Sequence, residues 1–289
     1  MAAQSFKTFP NPGAYLKATR GSYVKREVEN SLPFGIALRA EKLEKPTDPV
    51  KSFFALVSRS GHPLLGLSQS PGRNLLLSQF GAKAVVDLED TVRHLERTGL
   101  RPPGLGGPLP LVDQFAAEWE KQTGGSAQLH RRERIFKLTQ VIPPPLTPGF
   151  LRPVEEQDLP LLLTWGEDYS REALGKPGGD EMRNWLLDRA STGALFVCVN
   201  QSIVSMCMQT RPTERGISIS LVYTPPALRR QGYASVMVAA LSLRLLREGW
   251  QYVSHFTDLA NPVSNHIYQA VGFKPVCDWN EYTLERGQT

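Results

Sequence analysis

From residue 150 onward, apolar positions recur with a period that switches repeatedly between two and about three and a half, as alternating strands and helices require. Residues 149–154 predict a first short strand. Residues 155–163 then place acids in a first turn ahead of an apolar stripe, the pattern of a helix start. A second helix is expected over 181–190, and a strand over 194–199. Asn200-Gln201 is the turn that pairs this strand with 203–210 as a hairpin. Residues 216–223 alternate for most of their length and predict a half-exposed strand, followed by a loop over 224–232. A long amphipathic helix over 234–248 ends at Gly249; a strand over 252–257, a helix over 262–271 and a last strand over 276–284 complete the series.

The N-terminal half follows a similar order in fainter form. A helix is expected over 27–38, paired strands over 53–58 and 64–69 across Gly61, and a third strand over 74–78. Helices over 84–97 and 111–121 and a strand over 135–141 follow, with the Pro/Gly-dense stretch 101–110 read as a connecting loop. Helix, hairpin, strand, helix, strand thus occurs twice, which implies a duplication of the fold; no short-period repeat is present. Between the halves, four prolines fall within residues 143–148. They can sustain neither helix nor internal strand, and they make an extended, stiff spacer. The expected division is a domain over 1–142, a linker over 143–149 and a domain over 150–289.

Composition narrows the class. The 289 residues are 41% hydrophobic and 21% charged, which excludes wholesale disorder. No apolar run approaches the roughly 20 residues that span a bilayer, and the first residues lack a basic-then-apolar export signal; a soluble protein with no membrane partner is expected. Cys198, Cys207 and Cys277 are odd in number and have no CxxC spacing, so free thiols in a reducing, cytoplasmic compartment are the expectation. The formal charge of +5 is uneven: residues 1–149 hold 20 basic and 13 acidic side chains, and residues 150–289 hold 13 and 15. The excess therefore belongs to the first half, where His130-Arg-Arg-Glu-Arg134 is its densest run. That run is compatible with an acidic acceptor, the 3′-phosphate end of a nucleotide cofactor or RNA, or with a solvated face. No interleaved aromatics support a nucleic-acid stacking platform.

The stretch that carries chemistry is Val222-Tyr-Thr-Pro-Pro-Ala-Leu-Arg-Arg-Gln-Gly-Tyr-Ala-Ser235, between a strand and a helix. The first amides of that helix lack internal partners and carry the positive end of the helix dipole, the arrangement that binds phosphate. Gly232 and Ala234 are small enough to admit an anion to the backbone, and Arg229 and Arg230 add positive charge. An ordinary strand–loop–helix connection has the same composition. The order of residues goes further. Arg229-x-x-Gly232-x-Ala234 resembles the pyrophosphate loop Q/R-x-x-G-x-G/A of the GNAT superfamily of acyl-CoA N-acyltransferases. Asn261-Pro-Val-Ser-Asn-His-Ile-Tyr-Gln-Ala-Val-Gly-Phe273 is similar to that superfamily's N-x-x-S/A-x-x-x-Y-x-x-x-G-F segment.

This resemblance covers residues 150–285 and implies an α/β fold with a twisted mixed sheet flanked by helices in each of two GNAT-like domains. It implies acetyl-CoA or another acyl-CoA as co-substrate, and no metal. Leu221, Val222 and Tyr223 would align with the pantetheine arm, and Arg229, Arg230, Gln231, Gly232, Tyr233, Ala234 and Ser235 would cradle the pyrophosphate. Asn261, Ser264 and Asn265 would contact the cofactor near the second junction, and Tyr268 would be the general acid toward the thiolate. Many members place a glutamate base on the central strand, whereas here that strand reads Ser218-Ile-Ser-Leu-Val-Tyr223. Glu167 and Asp168, with Glu172 and Glu281 behind them, are the substitutes for a base, each with a solvated acid as its plain reading. Cys207, Cys277 and His266 read as core or surface residues, and Gly272-Phe273 as a helix stop and core aromatic.

The first half lacks such a loop. Residues 67–78 resemble a segment of tandem-GNAT proteins with a degenerate first domain, a layout similar to the glycine N-acyltransferase-like group. The implied activity is transfer of an acetyl or longer acyl group to a primary amine of a small molecule or amino acid, with a protein N-terminus or lysine as further acceptors. A CoA-binding sensor or scaffold without catalysis is the reading from another class.

Overall fold

A few side chains decide where the helices of the N-terminal half begin. After β1 (Gln4–Thr8), Asn11 caps α1 (Pro12–Lys25): its side chain accepts from the Ala14 amide at 2.8 Å, and proline stands at the first helical position. α2 (Ser31–Leu43) starts later than its apolar pattern predicts. Pro33 has no N–H and is tolerated only in a first turn, so the chain turns through 26–30 and begins the helix at Ser31. Strands β2 (Phe53–Arg59), β3 (His62–Gln69) and β4 (Leu75–Gln79) form an antiparallel meander. Asp87 then caps α3 (Leu88–Arg97), and β5 (Gly104–Pro108), α4 (Leu111–Thr123) and β6 (Ser126–Leu138) follow. These elements belong to a computed structural model that describes residues 3–45, 47–81, 85–145 and 147–287, the side chains of 262–264 excepted.

The C-terminal half repeats the order. It runs β7 (Phe150–Pro153), α5 (Leu159–Leu174), α6 (Gly179–Ser191), β8 (Leu195–Asn200), β9 (Ser202–Thr210), β10 (Gly216–Tyr223), α7 (Tyr233–Arg247), β11 (Tyr252–Asp258), α8 (Pro262–Val271) and β12 (Lys274–Glu285). Strand, two helices, three strands, helix, strand, helix, strand is the order in both halves, so the duplication expected from the sequence is present in full. No described helix is long and apolar enough to cross a membrane.

The chain divides into two units. Unit 1 comprises Met1–Ile135, Thr257–Ala260 and Pro275–Thr289; unit 2 comprises Phe136–Phe256 and Asn261–Lys274. In unit 1 alternate residues of β2 feed opposite cores. Phe54 and Leu56 pack with Tyr15 and Phe34 of α1 and α2, while Ala55 and Val57 pack with Val92 and Phe115 of α3 and α4. Unit 2 is divided the same way. Leu195 and Val197 of β8 pack with Leu162 and Leu186 of α5 and α6, while Phe196 and Cys198 pack with Met237 and Leu241 of α7. Each large apolar side chain so buried contributes about 1.5–3 kcal/mol of transfer free energy.

Two departures from the sequence reading have clear causes. Residues 101–110 contain a buried strand, β5, rather than a loop alone. Its glycines mark close approach and not a turn: a Cβ on Gly107 would stand 3.0 Å from Leu77 and 3.1 Å from Val112, and one on Gly106 would stand 3.0 Å from Leu76. β6 begins nine residues earlier than its apolar end suggests, at Ser126 rather than 135, so the Arg-rich run lies on a strand. There it meets carboxylates of β12. Arg134 donates twice to Asp278, at 2.6 and 3.0 Å, and His130 and Arg131 act electrostatically on Glu281. Most of that run's positive charge is thus answered across strands.

β12 runs antiparallel to β5, with Trp279 opposite Pro108 and Tyr282 opposite Leu105. Asn280 and Tyr282 donate to the carboxylate of Asp113 at the start of α4, at 2.9 and 2.8 Å. Removing residues 275–289 is therefore expected to damage unit 1, although they end the chain. Hydrogen exchange should show protection lost at the amides of residues 104–107, and unchanged protection there would refute the dependence.

Candidate functional site

β10 changes face partway along its length. Ile217 and Ile219 point into the core beneath α7, yet Leu221 and Tyr223 lie in the core beneath α5, and Val222 returns to the α7 side. A strict alternation would have kept Leu221 with Ile219. A bulge breaks it: Ser220 stands opposite Met208 of β9 and Tyr223 opposite Met206, three steps answered by two. Leu221 absorbs the extra residue with a left-handed φ of 52°. Ser205 fixes the far side of the bulge, donating to the Tyr223 carbonyl at 2.8 Å with its hydroxyl 2.8 Å from that of Thr224.

On its other edge β10 runs parallel to β11, but only briefly. Gly216, Ile217 and Ser218 face Tyr252, Val253 and Ser254, and the two serine hydroxyls bond at 2.7 Å. Among the described residues the ladder then stops, and a side chain stands in for it. His255 Nδ1 donates to the Ile219 carbonyl at 2.7 Å. Its ring lies 4.0 Å from that of Tyr268, tilted by 35°, and Tyr268 meets Phe273 edge-on at 5.6 Å. Burial holds the Tyr268 phenol well above its ordinary pKa, and Tyr169 and Cys207 push the same way. Burial lowers the His255 imidazole to about 4, against the opposing pull of its bond to Ile219. His255 is the residue that sequence reasoning missed. A lone histidine on an apolar strand carries no signal; only the gap between two parallel strands gives it a role.

Beyond the bulge, the loop enters α7 through Gly232, whose φ of 84° favours glycine. No side chain caps this helix and no acid stands in its first turn. Val236 makes the first helical bond to the Gly232 carbonyl at 3.1 Å, which leaves the amides of Tyr233, Ala234 and Ser235 directed out of the helix start. A Cβ at residue 232 would come within 2.5 Å of the Thr147 hydroxyl, so the space over the loop suits glycine alone. The matching helix of the first half, α3, is closed to an anion. Asp87 caps it, Glu89 and Asp90 fill its first turn, and Gln4 bonds both backbone groups of Asp87 at 2.9 Å. Three carboxylates there repel what the bare start of α7 attracts.

The remaining candidate residues divide by what holds them. Tyr233 is a core residue whose hydroxyl bonds Asn200 and Gln231. Arg230, with a φ of 65°, and Gln231 are exposed. Arg229 is engaged away from the helix start: it donates to Glu172 of α5 at 2.5 Å and to the Thr224 carbonyl at 2.9 Å, with its guanidinium over the Tyr223 ring. Asn261 and Asn265 share the first turn of α8, the Asn265 amide group donating to the Asn261 carbonyl at 2.9 Å; the side chain of Ser264 lies outside the described residues. Among the acids, Glu167 accepts from the amides of Gly178 and Gly179 at 3.1 and 2.7 Å, a structural clamp on the turn into α6. Asp168 lies 3.7 Å from Arg171. Glu281 belongs to unit 1, on β12 opposite Gly106, where burial raises its pKa. Among the described residues no group of three or more His, Cys, Asp or Glu could hold a metal ion.

The His255 shift fixes a pH dependence. An unfolded imidazole takes up a proton below about pH 6.5, while the folded one stays neutral down to about 4. The stability it contributes is complete above pH 6.5 and is lost as the pH falls toward 4, about 3 kcal/mol over the window. Urea midpoints measured from pH 7 to 4 should fall more steeply for the natural protein than for His255→Asn. Parallel curves would show that His255 is not the group taking up the proton.

Residues 198–283, from β8 into β12, match the family model described as FR47-like protein. No curated protein matches the chain. Among solved structures, a GCN5-related N-acetyltransferase from Sphaerobacter thermophilus matches at 15% identity and a TM-score of 0.61, over 98% of this chain and 97% of that one. A GNAT-family acetyltransferase from Colwellia psychrerythraea matches at 11% identity and a TM-score of 0.57, over 97% and 100%. A tandem GNAT protein from the clavulanic acid biosynthesis pathway matches at 12% identity and a TM-score of 0.58, over 99% and 100%. At these identities the likeness is one of fold: the chain shares, along its whole length, the fold of these GNAT structures, the tandem one included, and residues 198–283 add the FR47-like match.

Proposed function

We propose that this protein is an acyl-CoA-dependent N-acyltransferase that moves an acetyl or other acyl group to a primary amine by direct transfer in a ternary complex. One observation carries the reading. The uncapped, left-handed entry into α7 follows directly on a bulged strand that has parted from its parallel neighbour. The first feature suits the pyrophosphate, through the amides of Tyr233 to Ser235 and the exposed Arg230. The second suits the pantetheine arm, which would lie along Leu221–Tyr223 as an added strand. The FR47-like segment spans both. Unit 1, with α3 closed by acids, is read as a copy that binds no CoA.

Transfer requires the amine nitrogen to bond to the thioester carbon as the carbon–sulfur bond breaks, with a proton supplied to the departing sulfur. We read Tyr268 as the source of that proton. Its raised pKa keeps it protonated across the working range, and the proton released by the new amide nitrogen restores the phenol. His255 holds its ring against Tyr268 and binds the Ile219 carbonyl, so it positions both the acid and the strand. A small-molecule or amino-acid amine is the acceptor class we favour, with protein amines as alternatives.

The reading as a CoA-binding sensor draws on a different fact: Glu167, Asp168 and Glu172 all have partners in the structure. Thiol release from acetyl-CoA across a panel of amines, amino acids and polyamines separates the two, since tight CoA binding with no turnover on any acceptor would favour the sensor. Gly232→Val should abolish CoA binding while leaving the circular dichroism spectrum intact, and unchanged affinity would overturn the pyrophosphate assignment. Tyr268→Phe should lower kcat by about 10²-fold with little change in the Kd for CoA. Equal loss in both would make Tyr268 a packing residue.

A further inference from the structure

Arg229 occupies a place built for an organic cation. The Tyr223 ring offers it one face, at 5.8 Å from the guanidinium carbon. Trp165 and Tyr169 of α5 stand edge-on to the same ring at 6.0 and 6.4 Å and hold it in position. Glu172 supplies the carboxylate, one oxygen to Arg229 and the other within 3.4 Å of the Tyr223 hydroxyl, while the Thr224 carbonyl accepts from Arg229 Nε. Asp168, one turn back on α5, adds a second negative charge felt at Tyr223. An aromatic face, an ordered carboxylate and a backbone carbonyl are what an alkylammonium or guanidinium needs. The occupant is held weakly. Arg229 and Glu172 are 44% and 42% exposed, and a pair so exposed is worth about 0.2–1 kcal/mol.

We infer that Tyr223, Glu172 and the Thr224 carbonyl form the subsite for the acceptor's ammonium group, with Arg229 as its internal occupant until an anion at the start of α7 draws that arginine away. The displacement half of this inference rests on the reading of the loop as the CoA pyrophosphate site. The subsite half does not. Only two residues separate Arg229 from Gly232, so the same guanidinium serves either the carboxylate on α5 or a phosphate at the helix. Binding of CoA would then expose the amine subsite, and the acceptor would enter second. Linkage makes the effect reciprocal: whatever releases Arg229 from Glu172 strengthens both ligands.

The test uses the full chain, n-butylammonium as probe and n-butanol as its neutral control, with binding followed by NMR titration and calorimetry. Saturating CoA should tighten butylammonium by about two- to fivefold, the factor that corresponds to loss of an exposed competing pair, and should leave butanol unchanged. Arg229→Gln should give the same gain without CoA. Glu172→Gln should remove butylammonium binding in every state while tightening CoA by a similar factor, with its thermal midpoint confirming an intact fold. If Glu172→Gln leaves butylammonium affinity untouched, the subsite is wrong. If CoA binds tightly and shifts neither ligand's affinity, the displacement is wrong. Failure of CoA to bind the natural protein at all would instead sink the loop reading, and the Arg229→Gln arm would still decide the subsite.

Discussion

Everything at this site depends on two parallel strands that stop pairing while both continue. A sheet tolerates such a gap only if the exposed backbone groups find partners, because an unsatisfied carbonyl in a buried place costs about 1–3 kcal/mol. Here the ladder ends at the Ser218–Ser254 pair, whose hydroxyls also bond each other, and the His255 imidazole takes the next carbonyl, that of Ile219. The bulge at Leu221 then turns β10 so that Leu221 and Tyr223 join the core under α5 rather than the one under α7. Without the bulge, the aromatic and carboxylate group around Tyr223 could not assemble, and Arg229 would have nothing to lie on.

The duplication sets an open helix start beside a closed one. α3 and α7 occupy the same place in the order of elements and differ in a few residues at their N-termini. One has an aspartate cap, two further acids and a glutamine clamp; the other has a left-handed glycine and an outward row of amides. The helix dipole is common to both. What differs is whether side chains have already answered it.

Much of this was legible in the sequence where period and punctuation agree. The hairpins, the long helix α7 and the Gly232 turn all follow from alternation, apolar stripes and a glycine before a helix. The strand β5 was not legible, because Gly104, Gly106 and Gly107 spell a loop in composition, while in space Gly106 and Gly107 serve close approach to Leu76, Leu77 and Val112 and Gly104 to Asn74 and the Tyr282 carbonyl. The pairing of Arg229 with Glu172 was hidden for a similar reason: residues 57 positions apart show no local pattern. His255 was hidden because its role is to replace hydrogen bonds that are missing, and absence leaves no mark in a sequence. Charge counted by halves put the excess on the first half without explaining it, whereas Asp278 and Glu281 of β12 answer much of its densest run.

The antiparallel match of β12 to β5 has a consequence for the order in which the protein is made. Asp113 receives its hydrogen bond from Asn280 across 167 positions of chain, and Trp279 is wholly buried. During synthesis from the N-terminus, the first half emerges with β5 still wanting its neighbour, and that neighbour leaves the ribosome well over a hundred residues later. Contacts of such long sequence separation form late and slowly, so the nascent first half waits with an open, glycine-rich strand edge. Its maturation waits until residues 274–285 have been made and are free to pair.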